Sequence, residues 1–475
     1  MNENSKALKS GVWYTISNFL LKSIGFLTTP IFTRLISQAD FGDFNNFSSW
    51  LQILIVFVSL NLESTLVSAK FDYKNRFDNY ITSVLALSIL SATIWLIVLN
   101  VFFFKLFDIL SMRRFHLNCM LIYLLTYPGL RFFQIRERCF YRYKATVLTN
   151  ILLSIGTAVL SVFLVVCMSD KLTGRIIGYV APAIFMGTIV YAFFFIHERK
   201  IDLSCWKYAI HICIPYIPHL LSLHILNSMD RIMIRQICGA EDTALYSLAY
   251  MCGSIITILL VSMNEAFSPW LGDKLYRKEY GVIRIFSKKY ILLFFCLAYG
   301  AILAAPEILL ILGGESYLEA KYVMPPVAMG CMCQFVYTMF VNIEQINKKT
   351  IGMAIASVSA ALINYGLNAI FIPKYGFIAA AYTTLAGFIW LLLSHMFIVY
   401  KMKMSKVYDY AFIGIVMLVS LGFSILANGL YRKNGLRHIV LGVYIISLIF
   451  VAIYFKKLIK KVIAIILKKE PSKET

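Results

Sequence analysis

Acidic residues are scarce in this chain: 24 Asp and Glu stand against 45 Lys and Arg in 475 residues, and all charged residues together make up only 15%. That is too little charge to coat a water-soluble protein of this length, where about a quarter of residues are charged. The ten cysteines form no CxxC pair and nearly all fall inside apolar runs, where a free Cys acts as a small hydrophobe. Neither a disulfide framework nor a metal site is expected, and no cofactor. Long polar connections with clustered carboxylates are missing, which argues against a membrane glycosyltransferase or polymerase. A cleavable signal is also missing, since the first apolar run is long, is interrupted by Lys22 and has no small-residue cleavage site after it. That run is expected to stay as an anchor.

What the chain does have is apolar sequence: 60% of residues are hydrophobic and the mean hydropathy is +0.75. These are values for an all-α polytopic membrane protein. A crossing helix needs about 20 mainly apolar residues, and windows of that size give about fourteen candidate spans. The net charge of +21 would suggest nucleic acid in a soluble protein. Here the basic residues gather on alternate loops, as the positive-inside rule requires of a chain with both termini inside. Topology therefore accounts for the charge. Nucleic acid is excluded as a partner, and the lysine-rich tail is expected to touch anionic lipid.

Several spans carry polarity that hydrocarbon tolerates poorly unless it faces water or a partner. The stretch Pro215–Leu271 holds His219, His224, Asp230 and Arg231 in one span, then Asn264 and Glu265 near the end of the next. In the first span, Thr15, Asn18, Lys22, Thr29 and Thr33 recur at helical steps and share a face. Asn61 and Glu63 lie on the second span. Arg131 follows Pro128 and Gly129 on the fourth, where a kink is expected. Arg136, Arg138, Arg142 and Lys144 below it read as topological charge. Glu307 closes the ninth span, and Asn364 and Asn368, at i and i+4, face one way on the eleventh. The fifth and sixth spans look featureless. Residues 198–211 read as an inner-surface linker, and Gly272–Lys289 as a second surface helix.

A gapless internal match lays TRLISQADFGDFNNFS on IRQICGAEDTALYSLA, pairing Arg34 with Arg235 and Asp40 with Glu241. The same offset sets Asn18 on His219 and Thr29 on Asp230. The copies start six spans apart, so both enter the membrane in the same direction, and the repeat axis runs along the bilayer normal. The expected architecture is a six-helix lobe (1–197), the linker (198–211), a second six-helix lobe (212–402), two further spans (403–456) and a basic tail (457–475).

At membrane depth the cations are Lys22, Arg34, Arg131 and Arg231, and the acids are Glu63, Asp230, Glu265 and Glu307. Such cations suit a phosphate or diphosphate. The acids either bind a coupling proton or sodium ion or neutralise the cations across helices. A multidrug exporter would instead call for a cavity dominated by acids, and a scaffold would need no matched polar stripes.

FLTTPIFTRLISQADFGDF, IPHLLSLHILNSMDR, GAEDTALYSLAY, NEAFSPWL, NIEQINKKT and NAIFIPKYGFIAAAYTT together resemble the polysaccharide biosynthesis (O-antigen flippase, Wzx-type) family, over about Gly11 to Tyr400. The family shares a superfamily with the multidrug-and-toxin exporters and the peptidoglycan-precursor flippase. The resemblance implies two six-helix lobes working by alternating access. The implied activity moves undecaprenyl-pyrophosphate-linked oligosaccharide (O-antigen, capsule or another surface repeat unit) across the bacterial cytoplasmic membrane, without enzymatic chemistry. A polysaccharide polymerase and a chain-length regulator are candidate partners. On this reading Lys22, Arg34, Arg131 and Arg231 face the diphosphate, and Asn18, His219, Asn364 and Asn368 complete the substrate cavity. The two last spans depart from the twelve-helix pattern of many members.

Overall fold

The computed structural model describes residues 24–140, 142–198, 200–347 and 349–454, and among these every regular element is helical. The N-terminal half comprises α1 (24–35), α2 (Gln38–Ser59), α3 (Leu66–Asp72), α4 (Phe77–Val101), α5 (Phe103–Leu110), α6 (Arg114–Cys139), α7 (Tyr143–Cys167) and α8 (Lys171–His197). A linker helix, α9 (Leu203–Cys213), leads to α10 (Ile217–Ile237), α11 (Ala240–Tyr276), α12 (Tyr280–Leu303), α13 (Ala305–Gly313), α14 (Met324–Ile346), α15 (Thr350–Tyr375) and α16 (Phe377–Lys401). Helices α17 (Tyr410–Leu430) and α18 (Asn434–Tyr454) follow.

Local chemistry sets the helix ends. Ser37 accepts the Asp40 amide at 3.0 Å to start α2, and Asp170 accepts the Thr173 amide at 3.1 Å to start α8. These side chains satisfy amides that have no partner within the helix. The second span breaks where Leu60 and Asn61 both take left-handed φ (52° and 49°), and α2 and α3 meet there at 55°. The fourth span does not break at Pro128: α6 continues through it as one helix. Gly272–Lys289 is no separate surface helix either, since it spans the end of α11 and the start of α12.

Among the described residues, eight helices are long and apolar enough to cross a membrane, nine if the bent α2–α3 pair is one span. The expected total of about fourteen is reached by adding α1, α6, α10, α11 and α18. Of these, α6, α10 and α11 carry the Arg, Asp, Asn and Tyr side chains that line or flank the interior, so they depart from apolarity where the function needs them to. Elsewhere the outer faces are apolar: Val159 is 63% exposed and Leu418 70%, as suits contact with lipid tails.

The two halves meet mainly where α2 packs on α10 and α11. Hydrogen bonds between them cluster at the end holding the α1–α2 and α10–α11 turns, the end that loop charge assigns to the outside. Arg34 donates to Ile311 O at 3.2 Å, Thr33 to Leu312 O, Gln236 to Ile109 O at 2.5 Å, and Arg235 pairs with Asp43. At the centre of this seam a Cβ on Gly42 would stand 1.8 Å from Ala240 O. The seam is therefore a backbone contact that only glycine allows. The linker stays with the first lobe: the Trp206 indole donates to Ser83 O at 2.7 Å, and Tyr208 donates to Asp72 at 2.5 Å.

Candidate functional site: two arginine-lined cavities

Two interior cavities touch α1, and Gly25 lines both. The larger, about 740 Å³, lies between the lobes among α1, α2, α10, α11, α14 and α16. Its one arginine is Arg231, whose guanidinium donates to Asn227 O at 3.2 Å and lies 5.0 Å from the Tyr250 ring centre. The Arg231 Nε is buried without a partner. Asn45, Gln52, His224 and Gln334 complete the polar lining.

The smaller cavity, about 340 Å³, lies inside the first lobe among α1, α6, α7 and α8. On α6, Tyr123, Tyr127, Arg131, Gln134 and Arg138 project into it at steps of three or four residues, the spacing that stacks side chains on one helix face. Arg175 and Tyr179 of α8 face them, with Asn150, Ser154 and Thr157 of α7 between. Gln134 donates to Asn150 at 2.9 Å, Arg131 to Gln134 at 3.4 Å, and the Tyr123 ring stacks on Tyr127 at 4.9 Å and on Tyr179 at 6.2 Å.

Among the described lining residues of both cavities there are four arginines and no Asp or Glu. Two acids stand just behind the walls: Glu63, at the break after α2, is within electrostatic reach of Arg131 and has its Oε2 buried without a partner, and Asp230, beside Arg231, accepts from the lining hydroxyl of Thr384. Guanidinium groups facing a poorly hydrated cavity with so little counter-charge are costly until an anion joins them. The tyrosine faces and amides beside them offer apolar surface and hydrogen bonds to a sugar.

Asp230 points away from the larger cavity into the second lobe, where it is 1% exposed. It accepts hydrogen bonds from Tyr246 at 2.6 Å, Asn368 at 2.7 Å, Asn364 at 3.4 Å and Thr384. Asn364 and Asn368 were expected on the cavity wall, but both are fully buried, because a buried carboxylate needs their amide donors.

Other sequence candidates are dispersed. Arg34 stands on the seam at the outer end. Glu307 is held by Arg437 at 2.5 Å and His438 at 3.0 Å, which ties α13 to α18 far from either cavity. Lys22 and Asn18 fall outside the described residues, as do the side chains of His219 and Glu265. Arg138, read as topological charge, lines the smaller cavity. Arg136 is structural, pairing with Asp78 at 2.6 Å and with Glu137 at 2.6 Å.

Sequence reasoning missed Arg175, because it lies one turn into a span next to Lys171 and looked like flanking charge. The α6 stripe was legible as a helical repeat of Tyr, Tyr, Arg, Gln and Arg. A second unforeseen group is the buried pair Glu344 and His395, with Nδ1 2.7 Å from Oε1 and the Tyr337 ring stacked on the imidazole at 5.5 Å.

A helical two-lobe membrane protein with charged interior cavities is the architecture of a transporter. The sequence profile of the polysaccharide biosynthesis protein family matches residues 7–274, so the chain belongs to that family. It is 22% identical, over 96% of its length and 95% of the relative's, to an uncharacterized membrane protein of Methanocaldococcus jannaschii. Its fold is similar to that of the lipid II flippase MurJ in an inward closed conformation (TM-score 0.66, 17% identity, 94% of this chain and 100% of that one). It is also similar to an inward-facing multidrug resistance MATE family transporter of the MOP superfamily (TM-score 0.63, 14% identity, 82% and 94%). Family and fold agree on a multi-pass membrane protein: the chain belongs to the polysaccharide biosynthesis family and shares its helical fold with these two transporters.

Proposed function

We propose that this protein flips an undecaprenyl-pyrophosphate-linked oligosaccharide across the bacterial cytoplasmic membrane by alternating access. Four arginines without a lining carboxylate carry this reading. A cationic drug would be repelled by such walls, whereas a diphosphate would complete them. Arg131, with Lys22 on the span that separates the cavities, holds the diphosphate. The tyrosines and amides of the first-lobe cavity take sugar, and the polyprenyl tail remains in lipid. The surface polymer served is O-antigen, capsule or a related repeat unit, with a polymerase and a chain-length regulator as downstream partners. Both termini are placed in the cytoplasm.

Coupling is assigned to Asp230. Hydroxyl donors from Tyr246 and Thr384 and amide donors from Asn364 and Asn368 hold its carboxylate, so a proton or sodium ion that binds there has to displace or turn these groups. Glu63 and Glu265 remain further coupling candidates.

Neutralising the diphosphate site tests the reading most directly. Arg131→Gln should abolish surface glycan while leaving the protein inserted, and Arg136→Gln should act through stability instead. Normal export by a Lys22→Gln/Arg131→Gln double variant would defeat the assignment.

A further inference from the structure

Among the described residues Arg175 has no hydrogen-bond partner, and its Nε is buried. Its guanidinium is instead clasped between two rings, with Cζ 3.3 Å from the Phe32 centroid on α1 and 4.4 Å from that of Phe44 on α2. Contacts of this kind are favourable where water is scarce, yet they leave the in-plane N–H donors free for an anion.

The two rings sit beside the residues that close the outer seam. Phe32 is followed by Thr33 and Arg34, which bond Leu312 O and Ile311 O of the second lobe. Phe44 follows Asp43, the partner of Arg235. One turn before Arg175, Lys171 donates to Leu35 O at 2.8 Å at the end of α1. Tyr179, on the cavity wall, meets Phe44 edge-on at 5.6 Å. Arg175 thus touches both helices that carry the first lobe's half of the seam, and it also lines the first-lobe cavity.

We propose that Arg175 couples cavity occupancy to the outer seam: clasped between Phe32 and Phe44 it holds α1 and α2 in the closed arrangement, and an anion in the first-lobe cavity draws it away and loosens the seam. This rests on the reading above that the cavity takes an anion. Arg175 is a positioning residue here, and the chemical class it answers to is a phosphate or diphosphate. A substrate that opens its own exit makes alternating access depend on loading, because a ligand shifts such an equilibrium only through groups that differ between the two states.

The test uses the full chain in lipid nanodiscs, inorganic pyrophosphate as the probe, equilibrium binding, and hydrogen–deuterium exchange of the turns at residues 36–43 and 238–243. In the wild type, pyrophosphate should raise exchange of these turns about tenfold. Arg175→Ala should show the raised level without pyrophosphate and respond little to it, while binding it more weakly, through Arg131. Phe44→Leu keeps the guanidinium and should also raise basal exchange, so the proposal stays testable if Arg175→Ala folds poorly. A merely structural role would raise exchange along α8 and leave the pyrophosphate response intact. If the wild type binds pyrophosphate, Arg131→Gln abolishes binding, and both Arg175→Ala and Phe44→Leu behave as wild type at the seam, the coupling is wrong and the anion site stands. If the wild type fails to bind pyrophosphate, the anion reading falls and takes this inference with it.

Discussion

The two lobes use buried polarity in opposite ways. In the first, Arg131 and Arg175 face an open cavity with few of their donors used: Arg131 reaches Gln134 at 3.4 Å, and Arg175 Nε has no partner. In the second, Asp230 is sealed in the core with four donors around its two oxygens. The repeat sharpens the contrast, because Asp230 occupies the place of Thr29, a neutral hydroxyl that reaches only Gly25 O at 2.9 Å and Met251 Sδ at 2.8 Å among the described residues. On the proposed reading, one lobe is prepared for a large external anion and the other for something as small as an ion. An unfinished shell recruits a ligand, whereas a finished one stores a charge state.

The strongest way to break this contrast is to remove the sealed acid. Asp230→Asn should lower glycan export at least about tenfold and erase its dependence on an imposed proton or sodium gradient in vesicles, while pyrophosphate binding stays within about threefold of wild type. Retained gradient dependence would remove Asp230 from coupling and shift attention to Glu63 and Glu265. Loss of pyrophosphate binding would show that the lobes do not divide the work.

That division was only partly visible in the sequence. Helical steps on α6 and the i, i+4 pair Asn364 and Asn368 could be read, because side-chain direction follows from periodicity. Periodicity gives a face but not the neighbour, so the two Asn looked like cavity wall when they are the inner shell of Asp230. Arg175 was hidden for the same reason, since its meaning comes from Phe32 and Phe44, far away in the chain. The break at Leu60 and Asn61 carries no Gly or Pro to announce it, whereas α6 runs through Pro128 without a break. Arg34 and Arg235, matched by the repeat, do share a role: each reaches across the seam from its own lobe.

A smaller effect is expected where the lobes touch. Gly42→Val would drive a side chain into Ala240 O, and overpacking of this kind costs about 1–3 kcal/mol. Because the strain falls on the closed seam only, it should favour opening at the outer end roughly fivefold to a hundredfold, read as faster exchange at residues 36–43 and 238–243. Unchanged exchange would mean that the closed state does not depend on this contact.

The smallest effect should come from an acid of the second half outside its sealed network. Asp409, in the turn before α17, accepts from Lys288 at 2.7 Å and Arg284 at 2.9 Å and caps α17 through the Phe412 amide at 3.2 Å. The Lys288 ammonium, the Phe412 amide and Arg284 hold its pKa at about 2, below the ordinary 3.8. A carboxyl depressed on folding contributes stability above its unfolded value, and that contribution is lost as pH falls through the folded one. Between pH 8 and pH 5 the docking of α17 should therefore be flat, with loss only toward pH 2. Asp409→Ala removes the cap and two partly exposed ion pairs, together about 1–2 kcal/mol, so purified protein should unfold at a modestly lower temperature while export continues. If Asp409→Ala instead stops export as Asp230→Asn is expected to, what distinguishes Asp230 is not its sealed shell, and coupling has to be sought in acids that anchor helices as well.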